Sequence, residues 1–332
     1  MLKRILTTAL AAGIAGSAAA QAAESLKFHH DLPESSAQHM GAVKFKELVE
    51  AATDRFVVEI YPNNALGDDV EVAQQMQFGA VHAAPIPTAK LSSFSQALQL
   101  IDLPFLFPSV EVTHAVLDDP AVGGALLATL EDAGFHGVTF WESGFKQLTC
   151  NHPVTGPGDY DGRRVRVMES PLLVAQFEVM GATAIPIAFS ETYTALQQGV
   201  VECQENPLVS IRNMRFYEVQ DYMMISNHGY LGTAFIFSKV WFDALEPELQ
   251  EVLTEAAIEA GAYQRALSGE MADGFLQEIA ESGTTEIIEL SPEQLAAFAA
   301  TMEPVHAQFA DRIGPDLVDA AKDAVAALWT QD

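Results

Sequence analysis

The segment "GRRVRV", Gly162 to Val167, sets two arginines between valines in a chain with only 17 lysines and arginines against 45 aspartates and glutamates. On a strand, Arg164 and Arg166 alternate with Val165 and Val167, and one arginine can face inward. A buried guanidinium needs a carboxylate, supplied by the protein or by a ligand. A surface strand with two solvated arginines fits the same spacing. In "VVECQENP", Val200 to Pro207, the proline ring drives Asn206 into extended geometry. An amide held that way, with one acceptor and two donors, suits either a turn or a small polar ligand. Lys146 sits between Phe145 and Leu148 in "ESGFKQLTC" and by itself reads as an ordinary exposed lysine. Trp141, Phe189 and Tyr193 are of types found in cores more often than in pockets. The chemistry these residues suit is the holding of an anion.

Bond-breaking motifs are missing. The chain has no G-x-S-x-G elbow, no H-E-x-x-H pair, no P-loop and no C-x-x-C. Nine histidines are scattered, and the adjacent pair His29-His30 would point to opposite faces of a strand, unable to share one metal. "GPGDYDG" has a faint likeness to a calcium loop, but Ser170 stands where the closing glutamate belongs, so it reads as a surface turn. No metal or other cofactor is expected.

The elements that must position these residues alternate. "SLKFHH" reads as a strand, Ser35 or Ser36 caps a helix to about Ala52, and "RFVVEIYP" is a second strand. Asp68 or Asp69 caps a short helix to Phe78, and "AVHAAPI" is a buried strand. This β-α-β-α-β order argues for a largely parallel sheet faced by helices. A second unit follows: one long strand or two in "GVTFWESGFKQLTCN", then "RRVRV", a helix opened by Ser170-Pro171, "TAIPI", a helix from Ser190 to Gln198, and "VVECQ". Two such units without a low-complexity linker predict an α/β protein of two lobes joined by strands. From Pro247 to about Ser282, apolar residues recur at helical spacing, long enough for one helix to lie across both lobes. Helices from Ser291 and from Asp316 to Trp329 complete the chain.

Bulk properties narrow the class. Lys3 and Arg4 precede an apolar run with no further charge until Glu24, ending in the small residues Ala20-Gln21-Ala22, which is the order of a cleaved secretory leader over residues 1–22. No later stretch approaches a membrane span; "LQLIDLPFLF", for example, is interrupted by Asp and Pro. The formal charge is −28, spread along the chain, so nucleic acid and anionic membrane surfaces are poor partners. Two cysteines, Cys150 and Cys203, fit no zinc spacing; an oxidising compartment would permit them to pair.

Taken in order, "YPNNALGDDVEVAQQMQFGAV", "IDLPFLF", "GRRVRVMESPLLVAQFEVMGATAIPIAFSETYTALQQGVVECQENP" and the helical ending cover nearly all of the mature chain. In these segments the chain resembles the substrate-binding proteins of tripartite ATP-independent periplasmic (TRAP) transporters, DctP type. The resemblance implies a two-lobed periplasmic-binding-protein fold, with a ligand cleft between the lobes and a long helix spanning both. The expected division is 23–143 plus 232–271 for lobe I and 144–231 plus 272–332 for lobe II.

It also implies roles. Arg166 takes the position of the arginine that grips a ligand carboxylate with two prongs, a fit that lysine lacks. Asn206 takes that of the asparagine donating to the same carboxylate. A second cation, commonly arginine in the family, falls on Lys146. Phe189 matches an aromatic lying against the ligand, His30 or Asp31 a polar contact at the end of the first strand, and Asp69 either a neighbour of the site or a helix cap. Pro87 stands where sialic-acid binders carry a glutamate, which argues against that ligand; with Pro207, Trp141 and Phe189 it makes the cleft partly apolar. If Lys146 and Asn206 approach one ligand, Cys150 and Cys203 lie on neighbouring strands, and a disulfide is expected. The function implied is binding of an organic acid, a C4-dicarboxylate first and a hydroxy, oxo or aromatic monocarboxylate second, for delivery to the transporter's membrane subunits. The rival reading is a secreted hydrolase or isomerase acting on acids in the same cleft.

Overall fold

A computed structural model describes residues 23–329, so the expected leader at 1–22 lies outside the described residues. Ten strands run in chain order: β1 (Glu24–His29), β2 (Phe56–Tyr61), β3 (Ala83–Pro87), β4 (Phe135–Cys150), β5 (Arg164–Val167), β6 (Thr183–Pro186), β7 (Cys203–Pro207), β8 (Tyr222–Ile225), β9 (Tyr230–Ser238) and β10 (Glu286–Glu289). Their lateral order is β2-β1-β3-β9-β4-β7-β5-β6, with β8 on β4 and β10 on β8. The parallel trios β2-β1-β3 and β7-β5-β6 are the two alternating units foreseen from sequence, and β9 and β4 join them antiparallel.

The strand β4 makes the join. It pairs with β9 as far as Phe145 and with β7 from Lys146 onward. Its register slips between Glu142 and Gly144, and Gly144 has φ +100°, a conformation natural to glycine. Such a bulge bends the strand, so the sheet turns where one lobe gives way to the other.

Each lobe buries its own face. In the first, Phe28, Phe45, Val49, Phe235 and Leu253 pack around Trp141. In the second, Leu196, Val201, Ile211, Phe216 and Ile279 form a core beside Phe189, and a larger cluster continues from Met76 through Leu148 to Phe177 and Phe309 beneath the junction. The long helix is one piece, Pro247–Ser282, with proline in its first turn and Gly283 ending it in the left-handed region. Its 36 residues reach about 54 Å at 1.5 Å per residue. It packs on the helix Ala37–Ala52 of the first lobe and on the helix Leu208–Asn213 of the second. Midway, the Gln264 amide accepts from the Glu142 backbone N–H (3.0 Å) and donates to its carbonyl (2.7 Å), stitching the helix to the bend in β4. The last two helices, Pro292–Ile313 and Pro315–Trp329, lean on both lobes through the helices Pro171–Glu178 and Val110–Asp118. The result is a two-lobed α/β fold with a brace.

Candidate functional site

Arg166 occupies the central part of β5. Val165 and Val167 on either side are fully buried, Arg164 is exposed, and the Arg166 side chain is itself fully buried. Its Nε and Nη2 donate to the Ile187 carbonyl at 2.9 and 2.7 Å, which fixes the plane of the fork. Nη1 is buried and has no hydrogen-bond partner. Burial lowers the guanidinium pKa to about 10, against the opposing pull of Glu169 and Glu205, so it keeps its charge at neutral pH. Among the described residues no carboxylate forms an ion pair with it. A buried, oriented cation with one prong unused is an anion receptor.

Phe189 lies with its ring centroid 6.0 Å from the Arg166 Cζ. Asn206 is on β7, extended and buried as its following proline requires, with one amide proton given to the Gln204 side chain. Asn206 and Phe189 border a narrow cavity between the lobes, together with Ser143 from the bend in β4. Its opposite wall is Asp31, Pro87 and Lys90.

That first-lobe wall is a buried charge cluster. Asp68 caps the helix Asp69–Gln77 in a capping box with Glu71, leaving Asp69 free to turn inward. Lys90, in the single helical turn that follows β3, places its Nζ 2.6 Å from Asp69 Oδ2 and 5.6 Å from the Phe189 ring centroid. His29 Nε2 takes the other oxygen, Oδ1, at 3.1 Å. Burial pushes the Asp69 carboxyl up, but Lys90 and His29 outweigh it and hold the group well below its usual range. Burial and then the neighbouring Asp69 charge push Asp31 the other way, to about 7, against Lys90 and His29.

The structure therefore brings Asn206, Phe189, Asp31 and Pro87 to one cavity, with Arg166 buried next to the Phe189 ring that lines it. Four other candidates it places elsewhere. Lys146 is fully buried behind the cavity, its Nζ 2.7 Å from Glu205 Oε1. His228 Nε2 and Gln176 Nε2 complete that carboxylate at 2.6 and 3.0 Å, so Lys146 is the counter-ion of a protein side chain instead of a ligand's. Trp141 is packed in the first-lobe core against Phe28 and Phe235. His30 shares a 3.0 Å hydrogen bond with His39, and Asp69 reaches the cavity only through Lys90. The adjacent histidines do have separate partners. Cys150 and Cys203 stand opposite each other on β4 and β7, Cα atoms 4.1 Å apart, and are joined as a disulfide. Lys90 is the charged cavity residue that sequence reasoning missed. Its signal was a lysine embedded in "AAPIPTAKL", a nearly uncharged run in a chain poor in cations.

Two lobes bracing a cavity at a bent crossover strand, with a buried arginine close by, define the class of solute-binding proteins. The family of bacterial extracellular solute-binding proteins, family 7 (DctP), matches residues 28–312, and the chain belongs to it. It is 38% identical over 303 residues to the C4-dicarboxylate-binding periplasmic protein DctP of Rhodobacter capsulatus, covering 91% of each chain. It is similar in structure to a TRAP periplasmic solute-binding protein from Shewanella oneidensis with bound succinate, at TM-score 0.88 and 31% identity, over 92% of this chain and 100% of that one. The sugar acid binding protein DctPAm of Advenella mimigardefordensis, in complex with galactonate, matches at TM-score 0.88 and 32% identity over 92% and 98%.

Proposed function

We propose that the chain is the periplasmic binding component of a TRAP transporter, which closes on an organic acid and hands it to the membrane subunits. The observation that carries this reading is the buried Arg166 guanidinium, Nη1 unpartnered, next to the Phe189 ring that lines the interlobe cavity. A ligand carboxylate there completes the fork, with the Asn206 amide as second donor and the Phe189 ring as a lid. Asp31 and Lys90 make the facing wall polar, which suits a ligand with a second polar end, and a C4-dicarboxylate is the first candidate. The cavity measures about 10 Å³, close to the room one water needs, so a dicarboxylate enters only when the lobes part. The Ser190 hydroxyl donating to Asp68 at 3.0 Å joins β1's lobe to the other and would break on opening. The expected leader, residues 1–22, would direct export and be removed in the process, and among the described residues no helix is long and apolar enough to cross a membrane. We place the division of the lobes at the bend in β4, with 23–143 plus 232–271 as one and 144–231 plus 272–332 as the other; the register slip between Glu142 and Gly144 supports this reading.

The reading is tested by a thermal-shift panel of mono- and dicarboxylates followed by titration calorimetry. Arg166→Ala is expected to lose about 2–5 kcal/mol of binding, because a buried carboxylate is left unpaired. Asn206→Ala is expected to lose about 1–3 kcal/mol, since the guanidinium remains. Unchanged affinity in Arg166→Ala, or turnover of a bound acid, would sink the proposal.

A further inference from the structure

The first-lobe wall of the cavity holds more carboxylate than it has cations to match. Lys90 and His29 both donate to Asp69, at 2.6 and 3.1 Å. Asp31, at the end of β1 and nine-tenths buried, receives no hydrogen bond from another side chain among the described residues, yet it borders the cavity. A ligand bound through Arg166 would place its far end against this surplus carboxyl. The nearest ammonium is already neutralised by Asp69, so an ionised Asp31 would face a second ligand anion with only repulsion.

Resting on the carboxylate-binding reading above, we propose that Asp31 serves in its acid form, donating its O–H to the far oxygen of the bound acid, so that binding takes up a proton. A neutral carboxyl in a dry site both removes the repulsion and supplies a donor that a carboxylate lacks. The charged and titratable groups around it are His29 and His30 just before it in the chain, Asp69 from the helix after β2, Lys90 from the turn after β3, and Arg166 of the other lobe, with Glu169 acting on Lys90 and Arg166. His30 does not compete for the proton, since burial, then His39, lower its pKa to about 3. With the lobes closed, burial and then the Asp69 charge raise the Asp31 pKa to about 7, and a second anion beside it raises it further. The acid form is thus populated below neutrality and is the form a dianion selects. Dianionic ligands are favoured at lower pH; a ligand ending in a hydroxyl can instead donate to the ionised group and feels pH less.

The test is titration calorimetry of the full mature chain with succinate between pH 6.5 and 8.5, in buffers of different ionisation enthalpy. The expected result is a dissociation constant that rises toward tenfold per pH unit above about pH 7, with uptake approaching one proton per ligand. Both the pH slope and the proton uptake should vanish in Asp31→Asn, whose amide donates at every pH. A flat wild-type profile, or the wild-type slope persisting in Asp31→Asn, overturns the proposal while leaving carboxylate binding intact. The wild-type proton count decides even if the variant does not fold. Failure of folded protein to bind any acid at any pH overturns the carboxylate reading itself, and this proposal with it.

Discussion

A buried lysine and a buried arginine, twenty residues apart in sequence, serve different masters. Arg166 has a backbone carbonyl for two of its nitrogens and nothing for the third, whereas Lys146 is matched to Glu205 at 2.7 Å in the dry interior. Lys146→Met should therefore act on stability before it acts on binding. Removing one partner strands the Glu205 charge, at a cost of about 3–5 kcal/mol, read by urea unfolding at pH 7. A loss below about 1 kcal/mol would mean that the pair is not the support described. The pH dependence follows from two opposite shifts. Burial raises Glu205, but Lys146 and His228 outweigh it and hold its pKa low, so its stabilisation is present above about pH 4.5 and is lost as pH falls toward the folded value. Asp102, buried with neither carboxyl oxygen hydrogen-bonded, is raised by burial to about 7 in spite of Lys146, so stability falls as pH climbs from about 4 to 7. The Thr88 hydroxyl, near enough to favour ionisation of Asp102, instead donates to the Gly232 carbonyl at 3.2 Å.

At the level of elements, the long helix and β4 act together. A helix that spans two lobes is useful only if it is attached where they bend, and Gln264 attaches it to Glu142 next to the bulge. Close approach is allowed by Gly261, where a Cβ would stand 2.8 Å from the Trp141 Nε1 and 3.0 Å from its Cδ1. Two alanine substitutions in this one helix should thus have opposite signs. Gly261→Ala forces the helix off the indole and is expected to cost about 1–3 kcal/mol as overpacking. Gly269→Ala meets nothing within 4 Å and is expected to gain up to about 1 kcal/mol of helix propensity. Chemical denaturation of the two variants side by side checks this, and equal effects would show that the helix does not bear on Trp141.

For the whole molecule, a formal charge of −28 surrounds a site built for an anion. The long-range field repels the ligand, and the attraction comes at short range from Arg166, buried next to the cavity-lining Phe189. Salt separates the two. Raising ionic strength from 0.01 to 0.15 M shortens the screening length from about 30 to 8 Å, which removes the repulsion and leaves the buried contacts. Association of a dicarboxylate, followed by stopped-flow tryptophan fluorescence, should therefore speed up severalfold with added salt. Slower association would mean that a local cationic field steers the ligand from outside.

Much of this protein was legible in its sequence, because local signals operate over a turn or two. Ser36, Ser291 and the prolines at 171, 247 and 292 mark helix starts; the alternating valines of β5 mark a strand that can carry one arginine inward; Pro207 holds Asn206 extended. What tertiary structure alone decided is which charge meets which. Lys146 finds Glu205 59 residues away, and Lys90 finds Asp69 across 21, so the cation expected at the ligand is spent in the interior and another takes the cavity wall. Trp141, placed by the resemblance at the cleft, is a core residue, fixed there by the close approach of Gly41 and Gly261 from two helices. Spacing along a chain records which face a side chain takes; its partners depend on how distant segments are brought together, and burial then makes each unpaired charge too costly to leave except where a ligand completes it.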